Sequence, residues 1–244
     1  MVPVHVILGA AGGIGSATAR LLRQKGATVL LAGRRIEPLQ ELADEIGAVA
    51  VLCDATVPAD IAALMAFAKE QYGRVDGATA CVGSILLKPA HLTTDADWSD
   101  TILRNLTAAF NLVREATRAM MDSGGSIVLL ASGAATIGIA NHEAIAAAKA
   151  GIIGLGRSAA ATYAPRNIRV NVVAPGLVRT AMSARLTSSE AAVKASLALH
   201  PLGRLGEPGD VARAVAFFLD PDNSWITGQC LGVDGGLASL KGRV

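Results

Sequence analysis

Val4-His5-Val6-Ile7-Leu8-Gly9-Ala10-Ala11-Gly12-Gly13-Ile14-Gly15, continuing into Ser16-Ala17-Thr18-Ala19-Arg20-Leu21-Leu22, decides the fold. The first five residues form a run short enough for a buried strand. A glycine-rich turn follows, then a helical pattern with Leu21 and Leu22 on its apolar face. Glycine lets a backbone turn sharply and approach a ligand with no Cβ in the way. A helix start aims unpaired N–H groups and a positive dipole end at that turn, so a phosphate is its natural guest. The same residues would also serve as a plain tight turn, but the position between a strand and a helix at the head of a βαβ unit favours nucleotide binding.

The 244 residues suffice for one large domain, expected to span 1–244. Hydrophobic residues make up 52% and aromatics 3%, so Ala, Val, Ile and Leu must build the core. The charges nearly cancel, 22 basic against 20 acidic for a net +2, and no basic cluster stands out, which argues against a nucleic-acid partner. No apolar run reaches membrane-spanning length without polar interruption. Residues 4–8 run straight into the glycine turn without the basic start and cleavage site of a secretion leader, so a cytoplasmic chain is expected. Cys53, Cys81 and Cys230 are scattered, with no metal-ligand spacing, and read as buried free thiols.

Strand and helix patterns alternate to the end. Strands are expected near 28–32, 48–53, 75–82, 127–131, 168–174 and 229–233. Helices are expected near 37–46, 58–72, 97–122 in two pieces, 142–164 and 208–219. Continuously apolar strands separated by helices imply a parallel sheet covered on both faces: an α/β, doubly wound Rossmann-type fold of about seven strands. Residues 181–201 show no strong core pattern and read either as a lid over a substrate or as an ordinary surface excursion.

Ligands in such folds bind beyond the carboxyl ends of the strands, and an NAD site usually places an acid after the second strand. Gly33-Arg34-Arg35 stands there instead. A guanidinium can pair with a 2′-phosphate, so NADP is favoured over NAD, unless the arginines are solvated turn charges. Asp54, just past the third strand, is placed to accept a bond from an adenine amino group.

The spacing Gly9-x-x-x-Gly13-Ile14-Gly15 resembles the nucleotide loop of the short-chain dehydrogenase/reductase family. The resemblance continues almost end to end. It takes in Leu52-Cys53-Asp54, Tyr72 to Asp76, Asn105, the strand ending in Ser132, and Ile168 through Pro175-Gly176, Val178 and Thr180. It then covers Pro201-Leu202-Gly203-Arg204, Pro208, Gly228 and Asp234-Gly235-Gly236. The chain is most similar to the branch of 3-oxoacyl-carrier-protein reductases and related alcohol dehydrogenases. The resemblance implies hydride transfer between a nicotinamide and a small carbonyl or alcohol substrate. Gly9, Gly13, Ile14, Gly15 and Gly83 would lie at the cofactor, and Pro175, Gly176, Val178 and Thr180 at its nicotinamide. It also implies a homotetramer built around the helices near 105–122 and 142–164.

In that family a serine orients the reacting oxygen, a tyrosine donates the proton, and a lysine one helical turn later lowers the tyrosine pKa and holds the ribose. An asparagine positions a water. Ser132, Lys149 and Asn105 match, but the tyrosine position, four residues before Lys149, holds Ile145. Leu8 and Ala80-Cys81-Val82-Gly83 also depart from the family pattern. The two tyrosines, Tyr72 and Tyr163, lie elsewhere; Tyr163 is about 27 Å along the same helix by its rise. Three readings follow. His142, one turn before Ile145, replaces the acid; or a water or Lys149 relays the proton; or the chain binds nucleotide without redox chemistry. A structural reading of His142 also stands, since Asn141 before it is a good N-cap.

Overall fold

The computed structural model describes residues 2–241. Seven strands form one parallel sheet: β1 (Val4–Leu8), β2 (Thr28–Gly33), β3 (Val49–Leu52), β4 (Gly77–Ala80), β5 (Gly125–Leu130), β6 (Ile168–Pro175) and β7 (Cys230–Val233), in the order β3-β2-β1-β4-β5-β6-β7. The reversal between β1 and β4 opens the crevice in which folds of this class bind nucleotides.

Alternation along the strands builds two cores, one on each face. Val4, Val6 and Leu8 of β1, with Ile127 and Leu129 of β5, pack under helices α3 (Pro58–Tyr72), α5 (Ala108–Met120) and α6 (Glu143–Tyr163). Ile7, Val128 and Leu130 pack under α1 (Gly13–Gln24), α2 (Ile36–Ile46) and α8 (Pro208–Leu219). Registers are held tightly. His5 pairs with Gly77, where an added Cβ would run into the His5 imidazole. That ring is buried with Nδ1 unbonded, and burial pushes its pKa down to about 4 against the pull of Asp76 and Asp220, so it packs as a neutral group.

The expected helix at 97–122 starts earlier, as α4 (Asp95–Ile102), because Thr94 closes a capping box with Asp97. A π-helical turn over Leu103–Thr107 then joins it to α5. β4 is shorter than the 75–82 expected: Cys81 still bonds Leu8 O through its N–H, but the chain then leaves the sheet toward the crevice. Asn141 is not the N-cap of α6. It adopts φ +63° with its carbonyl accepting from the Lys88 N–H, and His142 takes the cap position. Residues 181–201 contain a helix that periodicity did not disclose, α7 (Glu190–Ala198), with no buried residue of its own. Of the three cysteines only Cys53 is fully buried; Cys81 and Cys230 are half-buried, and all are free thiols. Tyr72 and Tyr163 pack against the core at the ends of α3 and α6.

Candidate active site

The turn after β1 is held by three backbone hydrogen bonds. The Gly9 and Ala10 N–H groups donate to Ala32 O at 2.8 and 3.2 Å, and the Gly12 N–H donates to Gly9 O at 3.0 Å. Gly9 has φ +74°, and a Cβ there would stand 2.6 Å from Cys81 O; one on Gly15 would collide with Gly9 O. The turn is therefore a cradle that side chains would fill. α1 starts at Gly13 with no side-chain cap and no acid in its first turn. Helix geometry leaves the amides of Gly13, Ile14 and Gly15 without intrahelical partners, open to an anion. A cavity of about 520 Å³ adjoins this turn, lined by Gly9, Arg34, Arg35, Asp54 and Gly83 among others. Arg34 and Arg35 are exposed at the end of β2. Asp54 Oδ1 accepts from the Thr56 N–H and Oγ1, both at 2.8 Å. Thr180 lies against the loop, its Cγ2 2.9 Å from where a Gly13 Cβ would stand. Between β6 and Thr180, Pro175 ends the strand, Gly176 packs under His200 and Asp234, and buried Val178 bridges to Gly206. These residues fit a dinucleotide: a glycine cradle and helix amides for pyrophosphate, with a roomy cavity carrying two cations beside it.

A second cavity, about 440 Å³, lies at the carboxyl ends of β5 and β6. Ser132, His142, Ile145 and Gly176 line it, with apolar walls that include Ile85, Leu87 and Leu186. Ser132 Oγ accepts the Ala134 N–H at 3.2 Å, which leaves its own proton free to donate. His142 Nδ1 lies 2.8 Å from Ala140 O. A carbonyl only accepts, so Nδ1 carries the hydrogen and Nε2 of the neutral ring keeps a lone pair.

Behind these sit Lys149 and Asn105, which line neither cavity. Lys149 is 9% exposed and donates from Nζ to Leu130 O at 3.0 Å. Burial pushes its pKa down to about 8. Asn105 lies in the π turn; its Nδ2 donates to Thr101 O at 2.9 Å and Ser84 Oγ at 3.1 Å, and its Oδ1 accepts the Ser84 N–H at 3.3 Å. A Cβ on Gly83 would meet Asn105 Oδ1 at 2.6 Å and Lys149 Nζ at 3.5 Å, so this glycine joins the pair to the cavity of about 520 Å³. Burial holds the neighbouring Cys81 thiol up near 12, protonated and unreactive at neutral pH.

Over residues 9–238 the chain matches the family described as Enoyl-(Acyl carrier protein) reductase. It is 39% identical to cis-4-hydroxycyclohexanecarboxylate dehydrogenase of Sinomonas cyclohexanicum, over 97% of both chains. It is 36% identical to the 3-oxoacyl-[acyl-carrier-protein] reductase FabG of Vibrio cholerae, over 96% of both. The chain is a short-chain dehydrogenase/reductase. A short-chain type dehydrogenase/reductase from Mycobacterium ulcerans superposes with a TM-score of 0.93 at 28% identity, covering 98% of this chain and 91% of that one.

In this short-chain dehydrogenase/reductase the structure brings the sequence-predicted residues to one end of the sheet. Sequence reasoning missed Thr56, Arg104 and Met182 at the cavity of about 520 Å³, and Arg185, Leu199 and His200 at the other. Met182, Arg185, Leu199 and His200 come from the segment 181–201, where no periodicity marks a core; Thr56 follows β3, and Arg104 lies in the π turn between α4 and α5. Ser189, whose Oγ accepts the Ala192 N–H at 3.2 Å, was the available helix-start signal. A roomier cavity of about 770 Å³, lined by Pro3, His5, Asp76 and Trp225 among others, opens at the amino ends of the strands and shares no residue with this site. Among the described residues no cluster of His, Cys, Asp and Glu could hold a metal, and no helix is long and apolar enough to cross a membrane.

Proposed function

We propose that this oxidoreductase is NADP(H)-dependent, interconverts a small secondary alcohol and its ketone, and moves the proton through His142 in place of the missing tyrosine. The observation that carries this reading is that Ser132 and His142 line one apolar cavity, in which the family's tyrosine position holds Ile145. The nicotinamide, when bound, supplies or accepts the hydride at the carbinol carbon. In alcohol oxidation the Ser132 hydroxyl donates to the substrate oxygen and orients it. His142 Nε2 takes the alcohol proton as the C–H electron pair leaves; the products are the ketone, the reduced cofactor and protonated His142, which releases its proton to water. Reduction runs the same steps backward from protonated His142. Lys149 supplies a positive charge behind Ile145 and a contact for the cofactor ribose, and Asn105 supports it through a water.

His142→Ala is expected to lower kcat/KM by about 10²-fold or more, the typical contribution of a general acid–base group, with NADPH affinity unchanged. Turnover unaltered by this change removes histidine from the mechanism. A wild type that binds NADPH yet turns over no alcohol or ketone supports the nucleotide-binding reading instead.

For the cofactor, Arg34 and Arg35 stand where an acid would repel a 2′-phosphate. NADPH is expected to bind at least tenfold tighter than NADH, and Arg34→Ala/Arg35→Ala to erase the difference, read by fluorescence titration of both nucleotides. Tighter NADH binding by the wild type refutes the assignment. A homotetramer in the cytoplasm, with α5 and α6 meeting their copies, completes the reading.

A further inference from the structure

One side chain in the 440 Å³ cavity has no part in the chemistry above. Arg185 lies in a short 3₁₀ turn (Ala184–Thr187) and lines the cavity with Ile85, Leu87, Ile139, Leu186 and Leu199. No aspartate or glutamate lines it with them. Ser188 Oγ donates to the Arg185 carbonyl at 3.0 Å, but the guanidinium has no hydrogen-bond or ion-pair partner among the described residues. Nearby arginines differ: Arg179 pairs with Glu207, and Arg204 and Arg213 both pair with Asp210.

Two histidines also line the cavity. His200 Nδ1 faces Ser196 O at 2.7 Å and its Nε2 accepts the Leu177 N–H at 3.1 Å, so both ring nitrogens are used in tying the end of α7 to the turn after β6. His142 Nδ1 is taken by Ala140 O. Arg185 is thus the one fixed positive charge in the lining, an exposed side chain beside apolar walls. A guanidinium matches a carboxylate with two parallel N–H donors. The walls contain no Phe, Tyr or Trp to stack on a flat substrate.

We propose that the substrate carries a carboxylate at the end away from its reacting carbon, and that Arg185 receives it. The substrate class is then a compact, non-aromatic hydroxy- or oxo-carboxylic acid, with its apolar body against Ile85, Leu87 and Leu186. The inference rests on the alcohol–ketone reading of the site, but its test does not require turnover.

Cyclohexanecarboxylate and cyclohexanecarboxamide have the same shape and neither is a ketone or an alcohol. Calorimetric titration of each into the protein, with and without NADPH, is expected to show the carboxylate binding about tenfold or more tightly, as a charge-assisted pair allows. Arg185→Leu is expected to remove that preference and Arg185→Lys to keep part of it, with the circular dichroism spectrum unchanged because Arg185 is exposed. Equal affinity for the two probes, binding of neither, or a preference that survives Arg185→Leu overturns the proposal. Where the preference appears and Arg185→Leu abolishes it, but no hydroxy or oxo acid is turned over, the anion site stands and the alcohol–ketone reading alone falls.

Discussion

Ile145→Tyr is expected to raise kcat/KM for ketone reduction by about 10²-fold, the usual worth of a well-placed general acid. Ile145 is 6% exposed and lines the cavity beside Ser132. The ring of a tyrosine there extends into about 440 Å³ of existing space rather than into packed core, so the stability loss should stay below about 2 kcal/mol. Lys149, one turn further along α6, donates to a neutral backbone carbonyl and has no carboxylate partner in the hydrogen bonds of the structure. Its cationic form is therefore available to stabilise a phenolate and lower the new tyrosine's pKa. The sign of the pH dependence follows. Burial sets the Lys149 pKa near 8, so the ammonium is present below that pH and lost above it, and the variant's reduction rate should decline as pH rises beyond about 8. The gain should also release the enzyme from its histidine: adding His142→Ala to Ile145→Tyr should cost less than threefold, whereas His142→Ala alone costs about 10²-fold. Steady-state kinetics on the four proteins of this cycle decide it. No gain from Ile145→Tyr means that position 145 no longer faces the reacting oxygen, and a full loss in the double variant means that histidine acts in some other way.

The parts of this molecule that were legible in its sequence are those in which one physical requirement dominates. Buried parallel strands must be apolar throughout, so β1, β2, β5 and β6 could be placed within about two residues. The nucleotide turn needs glycine at fixed positions, and Gly9 and Gly15 are where added side chains would strike backbone. What was not legible depends on several weak terms at once. α7 buries none of its residues, so it has no apolar stripe to read; Ser189 and the turn before it hold it in place. Asn141 has the chemistry of a cap, but its carbonyl is claimed by Lys88 from a distant loop, and this tertiary bond moves the cap to His142. The apolar cavity walls draw on Ile85, Leu87, Ile139, Leu186, Leu199 and Leu237, residues from segments far apart in sequence, so nothing local in any of them announces a common pocket. Arg185 was unreadable for the same reason: a lone arginine in a polar stretch looks solvated until its neighbours are known.

Gly9→Ala is expected to destabilise the fold by about 2–5 kcal/mol and lower Tm by roughly 5–15 °C. Two separate effects add. The backbone at φ +74° places an alanine in the left-handed region, which costs about 1–2 kcal/mol. The new methyl would also stand 2.6 Å from Cys81 O, 2.8 Å from Cys81 C and 2.9 Å from Val82 Cγ1, mostly backbone that cannot swing aside. Both sides are anchored, since the Gly9 N–H holds Ala32 O and the Cys81 N–H holds Leu8 O, each at 2.8 Å. Relief must therefore come from moving the β1 and β4 ends apart, which opens the crevice and displaces the turn that presents the Gly13–Gly15 amides. NADPH affinity should fall more than tenfold as a consequence. Gly26→Ala separates the two effects, because Gly26 has φ +86° but nothing within 4 Å of its added Cβ. It should lose only the conformational part and bind NADPH normally. Thermal melts and nucleotide titrations of the two variants give the answer: if Gly9→Ala behaves like Gly26→Ala in both, the close approach of the turn to the end of β4 has no energetic weight, and crowding at residue 9 does not explain why this position is glycine.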